Sequence, residues 1–340
     1  MTIRSCGTRI AVAAVTFVIT VGVAGPAGAH GVSGPPASNF ATRLRGVAPP
    51  TTTVVASLGA DRETVELHRT GADRVTVYGY RGEPYLRLTR TGVWENRSSP
   101  AVALNRTRIP PNRAPVARIR APRWVRISRG SGASWHDHRT HWMGGALPAV
   151  VRRARDHHHA IGHWTIPLQI DGRAAAIAGT VEWQPPPNPW LWWTLAIGLV
   201  VGIVLAARRR RAGLVIGGVL AMMAASEAVH LWASWPFSNA SLGGRIGESL
   251  PSIAAVGTSA AACMWVFRRG YRAAAPALIL AGLFVVVSGG LADLATLSHA
   301  FVPSRLDPVW SRLLVALALG LGTGSAIVGI MRLRAPPSST

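Results

Sequence analysis

The stretch Pro185-Pro186-Pro187-Asn188-Pro189-Trp190-Leu191-Trp192-Trp193 divides the sequence into two parts of opposite character. A run of prolines predicts a stiff, extended spacer, and clustered tryptophans are typical of the interface between a membrane and water. The residues before this stretch are polar and rich in arginine, whereas those after it are mostly apolar. We therefore expect an extracytoplasmic domain at 30–184, a linker at 185–189, a transmembrane domain at 190–332 and a cytoplasmic tail at 333–340.

The part after the linker contains five apolar segments, each about 18 to 22 residues long, which is the length of a helix that crosses a bilayer. They lie at roughly 190–207, 212–233, 250–267, 273–292 and 312–331. Short loops rich in arginine, such as Arg208–Arg211, alternate with loops that carry few arginines. Because basic loops stay in the cytoplasm, this pattern predicts an α-helical bundle of five spans with the polar domain outside the cell.

Residues 1–29 have the features of a secretory signal peptide, with Arg4 and Arg9 before an apolar run and Ala27-Gly28-Ala29 after it. The alternative is an uncleaved membrane anchor. Cleavage after Ala29 would make His30 the amino terminus, so that its α-amine and its imidazole could both bind one metal ion.

The polar domain contains short β-branched or alternating runs separated by turn residues. Strands are predicted at Thr52–Leu58, Thr64–Arg69, Arg74–Tyr80, Tyr85–Thr91, Trp124–Ser128, His163–Ile170 and Ala174–Trp183. The last two flank Asp171-Gly172, a strong hairpin signal. About seven or more strands predict an all-β domain of the immunoglobulin-like sandwich type, with the histidine-rich middle in loops at one end.

Composition limits the partners and the metal ligands. The chain has 36 basic and 14 acidic residues, and every basic residue is arginine. This balance favours anionic partners such as lipid head groups or wall polymers, whereas nucleic acid is excluded because most of the charge is expected outside the cytoplasm or beside the membrane. With Cys6 and Cys263 alone, neither a disulfide framework nor a thiolate metal cluster is expected.

The segment Trp135-His136-Asp137-His138-Arg139-Thr140-His141-Trp142 is the candidate metal site. Imidazole is the commonest protein ligand of copper and zinc. In an extended strand His136 and His138 share a face, and in a helix His138 and His141 do. Asp137 is expected to support the site as a ligand or as a hydrogen-bond acceptor. The alternative is a polar network of these histidines with Arg139 and the tryptophans.

Two further groups of polar residues stand out. His157, His158 and His159 are expected to be exposed in an arginine-rich loop rather than to bind one ion together. In the apolar part, ionisable residues at or near the outer ends of the spans form a candidate membrane polar site. They are Glu227, His230, Asp293 and His299.

The order of these features resembles that of uncharacterised actinobacterial membrane proteins with a secreted N-terminal domain. The resemblance rests on His30-Gly31, on Gly82-Glu83-Pro84-Tyr85-Leu86-Arg87, on Trp135–Met143 and on the final run of helices. More distantly, an N-terminal histidine on a β-sandwich, a closing hairpin and a helical bundle resemble the CopC and CopD copper-handling proteins. That resemblance implies that His30 is a copper ligand. It departs at Arg173, because such proteins often carry a histidine after Asp-Gly and arginine cannot replace it as a ligand.

The sequence thus predicts a membrane-anchored envelope protein that binds copper, or zinc as second choice, in metal delivery, uptake or sensing. The predicted ligands are His30, His136, His138 and His141. The alternative is a non-metal interaction protein whose cationic β-domain contacts a wall polymer or a partner protein. Nucleophile elbows, phosphate-binding loops and zinc-protease helices are absent from the sequence, which disfavours an enzyme.

Overall fold

The structure is a computed structural model, and it describes residues 36–59, 61–106, 120–238 and 240–334. The chain divides into two compact units, of which the first comprises Ser38–Pro186 and the second contains the chain from Pro187 onward. The predicted signal peptide and His30 lie outside the described residues. The boundary between the units falls within the predicted proline-rich linker.

The first unit, called the β unit below, contains ten strands and two short helices among its described residues. The strands are β1 Phe40–Ala48, β2 Val54–Leu58, β3 Thr64–Arg69, β4 Arg74–Tyr78, β5 Pro84–Thr89, β6 Gly92–Asn96, β7 Trp124–Ser128, β8 Gly132–His136, β9 His159–Ile170 and β10 Arg173–Trp183. The helices are α1 Ala101–Leu104 and α2 Ala149–Arg153.

The strands form two antiparallel sheets. The larger sheet has seven strands in the order β1-β10-β9-β4-β5-β6-β7, and the smaller has three in the order β2-β3-β8. Alternation places one face of each sheet inside: Val65 and Leu67 of β3 are fully buried, as is Ile166 of β9. These side chains belong to one hydrophobic core, so the two sheets are held together by shared apolar burial.

Every predicted strand is present, with ends that differ by a few residues. Three strands were not predicted, namely β1, β6 and β8. The most consequential is β8, because the histidine-rich middle was expected to be loop. Instead, β8 pairs with β3, so that His136 lies opposite Thr64 and Trp135 opposite Val65. One end of the histidine segment is therefore fixed to the smaller sheet.

The second unit is helical among its described residues. Its α-helices are α3 Trp190–Ala206, α4 Ala212–Ser234, α5 Leu242–Arg269, α6 Ala275–Val285 and α7 Pro308–Arg334. A π-helix, Val286–Leu291, continues α6, and a 3₁₀ turn follows at Leu294–Leu297. Helices lie at all five predicted segments, but α5 and α7 begin several residues earlier than predicted.

Three helices are long and apolar enough to cross a membrane, at Ala212–Phe237, Leu242–Arg269 and Pro308–Arg334. This marks the chain as a membrane protein. The apolar helices Trp190–Ala206 and Ala275–Leu291 are shorter. Exposed apolar side chains on this unit, including Leu214 at 66% and Phe267 at 61% exposure, are those that a bilayer would cover.

Candidate metal centre

The candidate site lies where β8 ends and a tight turn begins. Asp137 makes this turn: its backbone carbonyl accepts hydrogen bonds from the Thr140 amide at 3.0 Å and from the Thr140 hydroxyl at 2.7 Å. The Thr42 hydroxyl of β1 donates to the Thr140 carbonyl. The turn is thus attached to both sheets, and it brings His136, His138 and His141 to one place.

The three imidazoles lie close enough to hold one ion. Nε2 of His136 and Nε2 of His141 are 3.0 Å apart, and one nitrogen from each of the three rings lies within 4.8 Å of the others. Two nitrogens bound to one copper or zinc ion, at about 2.0 Å each, are roughly 2.9 to 3.4 Å apart. The His136–His141 pair, which is also at hydrogen-bond distance, is therefore at the spacing of a metal site, and a nitrogen of the third ring lies within 4.8 Å.

His138 presents a nitrogen that suits a metal. Its Nε2 lies 3.0 Å from the backbone carbonyl of Leu104, and since a carbonyl only accepts, Nε2 carries the hydrogen. Its Nδ1 is buried and has no hydrogen-bond partner among the described residues. A histidine whose second nitrogen donates to a carbonyl is the usual arrangement of a metal ligand, and Nδ1 of His138 has the lone pair that such a ligand uses.

His136 is also prepared to bind a metal. Burial, and then the neighbouring His141 ring, lower its pKa from 6.5 to about 4. Only a neutral imidazole has a lone pair for a metal. At neutral pH His136 therefore offers this lone pair without having to lose a proton.

Asp137 supports the site through hydrogen bonds to its neighbours in the turn rather than through a contact with the imidazole rings. The side chain is fully buried, and its carboxylate accepts two hydrogen bonds from the Arg139 guanidinium at 2.8 Å and one from Trp135 Nε1 at 2.9 Å. Burial opposes its ionisation, but Arg139 and Trp135 overcome that effect and hold the pKa of Asp137 below its usual value. The alternative predicted from the sequence was a polar network of the histidines with Arg139 and the tryptophans. In the structure Asp137 forms such a network, whereas the histidines face one another.

Residues distant in sequence complete the surroundings of the triad. The Tyr80 hydroxyl accepts a hydrogen bond from the His138 amide at 2.9 Å and donates to Asn105 Oδ1. The Arg139 guanidinium lies over the Tyr80 ring, 4.7 Å from its centre, and burial raises the pKa of Tyr80. The roles of Tyr80 and of the Leu104 carbonyl were missed in the sequence, since no local pattern connects them with residue 138.

Three other histidines of the β unit, His157, His158 and His159, each have a separate partner. His157 contacts Asp156, His158 contacts Glu182 at 3.2 Å, and His159 contacts the Ala154 carbonyl. Within the described part of the chain, only His136, His138 and His141 group closely enough for one ion. His30 remains a predicted ligand outside the described residues.

The candidate membrane polar site is brought together in part. His230 Nε2 lies 2.9 Å from Asp293 Oδ2, and Glu227 lies one helical turn before His230 on α4. The His299 ring instead has a partner close in sequence, because its Nδ1 lies 2.8 Å from the backbone carbonyl of Ala295.

Comparison with known proteins adds no further identification: no family model, curated protein or solved structure matches this chain. The fold and the site therefore define the class, a membrane protein with an antiparallel β unit that carries a cluster of three histidines.

Proposed function

We propose that this chain is a membrane-anchored metal-binding protein of the cell envelope, with a site for one copper ion, or zinc as second choice, at His136, His138 and His141. One observation carries the proposal: three imidazoles converge, and the carbonyl of Leu104 leaves Nδ1 of His138 as a buried lone pair without a partner. The cluster contains imidazoles and no cysteine, and an all-imidazole set suits copper and zinc.

The same proposal includes a role for His30, the location of the β unit and the number of membrane spans. His30, exposed as a new amino terminus, would supply further donors, in keeping with the resemblance to CopC. The β unit would lie outside the cytoplasm as an immunoglobulin-like sandwich, which two sheets around one core support. The helical unit would cross the membrane five times, with the shorter helices as the additional spans. Delivery, uptake and sensing of the metal are the roles that this arrangement serves.

The test uses the full chain without an affinity tag, purified in detergent and dialysed against Cu(II) or Zn(II). We expect about one ion per chain. The variant with His136, His138 and His141 all changed to alanine should lose it, whereas the matched variant with His157, His158 and His159 changed to alanine should retain it. Equal uptake by the two variants, or no uptake by the wild type, would refute the site.

A smaller arm of the experiment addresses His30. If the N-terminal histidine completes the site, His30→Ala should weaken the affinity, and so should any form in which residues 1–29 are still attached. Unchanged affinity in both forms would leave the metal on the triad alone and remove His30 from the ligand set.

A second candidate function rests on the outer face of the larger sheet. Arg87, Trp94 and Arg126 lie in one row across β5, β6 and β7, and Arg87 also stacks on Trp124, 4.1 Å from the ring centre. Arginine beside half-buried aromatic rings, here Trp94 and Trp124, favours an anionic polymer that carries sugar rings. Binding of wall polymer that weakens with salt, survives chelator and is lost in Arg87→Gln/Arg126→Gln would support it.

A further inference from the structure

The helical unit contains a second polar centre, which the proposed metal site does not use. Glu227, His230 and Asp293 are 2%, 8% and 3% exposed, respectively, in a unit whose surface and interior are otherwise mostly apolar. Ionisable groups inside a membrane bundle are costly, and they persist where they have a function.

The centre consists of two side-chain contacts between α4 and the chain that follows α6. In the first contact the Ser288 hydroxyl donates to Glu227 Oε1 at 2.9 Å. In the second, His230 pairs with Asp293 at 2.9 Å. Glu227 and His230 are three residues apart on one helix face, so the two contacts are about one helical turn apart.

The backbone makes room for the acid. Ser288 and Gly289 lie in the π-helix Val286–Leu291, a rare form that is frequent at functional sites. A Cβ at Gly289 would lie 2.3 Å from Glu227 Oε2. A larger residue at this position would have to displace the carboxylate, so glycine makes room for Glu227 beside the π-helix.

Beside His230 there is a small cavity of about 10 Å³, which has room for about one water molecule. Hydroxyl groups contribute much of its lining, from Ser234, Thr296, Ser304 and Ser311. The cavity extends the chain of polar groups from Glu227 through His230 by one further hydrogen-bonding position.

The charges of the ionisable groups in this centre favour the binding of one additional proton. Asp293 faces His230, and Ser288 and Ser252 are the hydrogen-bonding neighbours of Glu227. Arg312 of α7 directs its Nε and Nη2 to the carbonyls of Thr296 and His299. Arg312 bonds to backbone carbonyls rather than to these carboxylates, so the count is made for Glu227, His230 and Asp293 alone. Two carboxylates with one imidazolium carry one net negative charge, and a proton held on Glu227 neutralises it at less cost than leaving the charge buried.

We propose that Glu227, His230 and Asp293 form a proton-transfer site in the helical unit. From the neutral cluster, the His230 imidazolium first gives a proton to water in the adjoining cavity. The O–H bond of Glu227 then breaks and its proton is accepted at the neutral His230 imidazole, which Asp293 orients and stabilises as the cation; the reverse steps return both protons. The cavity beside His230 is the point where the proton exchanges with water. A cage for a metal ion is not formed, because these three groups are not among the sets that converge on one point in the described chain.

The test is infrared difference spectroscopy of the full chain in lipid, in H₂O and D₂O, as the pH is changed. We expect a carboxyl C=O band that shifts in D₂O, disappears as the pH is raised and is missing in Glu227→Gln. Glu248→Gln is the matched control, because Glu248 lies in the same unit but bonds to Ser238, and it should retain the band. The amide absorption of the same samples reports whether each variant is folded.

A second variant tests the transfer partner. His230→Gln should retain the Glu227 band but shift the pH of its disappearance by about one unit or more, because the carboxyl loses a neighbour that exchanges charge with it. A wild-type spectrum without an exchangeable band that depends on Glu227 would overturn the site. A midpoint that is the same with and without His230 would overturn the transfer step.

Discussion

Asp137 illustrates at the residue scale how a buried charge organises this site. It is fully buried and holds Arg139 through two hydrogen bonds of 2.8 Å. Removing one partner of such a pair leaves an uncompensated charge, at a cost of about 3 kcal/mol. Asp137→Asn should therefore lower the free energy of unfolding of the β unit by roughly that amount, measured by pulse proteolysis of the full chain in urea. Asp156→Asn, at an exposed pair with His157, should leave it unchanged, and equal effects would contradict this role.

Tyr80 is the residue on which we expect metal affinity to depend indirectly. Its hydroxyl accepts the His138 amide hydrogen and fixes the backbone from which one ligand projects. Residues that orient a ligand typically change metal affinity by about 10-fold to 100-fold. Tyr80→Phe should weaken copper or zinc binding about 10-fold, as measured by competition with a chelator of known affinity. Tyr78→Phe is the control, since in the described part of the chain that hydroxyl makes a long hydrogen bond to Gln169, at 3.4 Å, and none to the histidine segment. An unchanged Tyr80→Phe affinity would show that the turn holds His138 without this bond.

At the scale of elements, close contact between helices depends on glycine. A Cβ at Gly282 of α6 would lie 2.4 Å from the carbonyl oxygen of Gly322 on α7, and a backbone atom cannot move aside as a side chain can. Gly282→Ala should destabilise the helical unit by roughly 1 to 3 kcal/mol, seen as a lower unfolding temperature in detergent. Gly218→Ala on α4, where a Cβ meets nothing within 4 Å, should be neutral or slightly stabilising. Equal unfolding temperatures for the two variants would exclude the close approach.

Elements whose signals are local could be predicted from the sequence. Asp171 and Gly172 adopt positive φ angles of 48° and 82°, as a two-residue hairpin turn requires, and β9 and β10 pair outward from Ile170 and Arg173. By contrast, β8 was not predicted, because its short sequence around Ser134 becomes a strand only through pairing with β3.

The candidate site shows the same limit. That His136, His138 and His141 lie near one another follows from their spacing. That Asp137 turns away to Arg139, and that Leu104 and Tyr80 complete the surroundings of His138, depends on tertiary contacts across 34 and 58 residues. Neither the amino-acid composition nor the periodicity of apolar residues indicates these tertiary contacts.

At the scale of the whole molecule, the number of spans decides on which side of the membrane each loop lies. Counting α4, α5 and α7 alone gives three spans, and adding α3 and the Ala275–Leu291 segment gives five. Both counts are odd, so both place the β unit and the C-terminus on opposite sides. The loop Arg208–Arg211, between α3 and α4, is where they differ: it is cytoplasmic with five spans and on the side of the β unit with three.

Single-cysteine labelling separates the two counts. In a chain with Cys6 and Cys263 changed to alanine, we expect Arg209→Cys to resist a membrane-impermeant thiol reagent in intact cells and to react after permeabilisation, because four consecutive arginines favour the cytoplasm. The matched probe is Ser241→Cys, between α4 and α5, which should react in intact cells. Five spans predict this pattern and three predict its reverse, since removing α3 from the count exchanges the sides of both loops. The reverse pattern would leave α3 at the membrane surface on the side of the β unit.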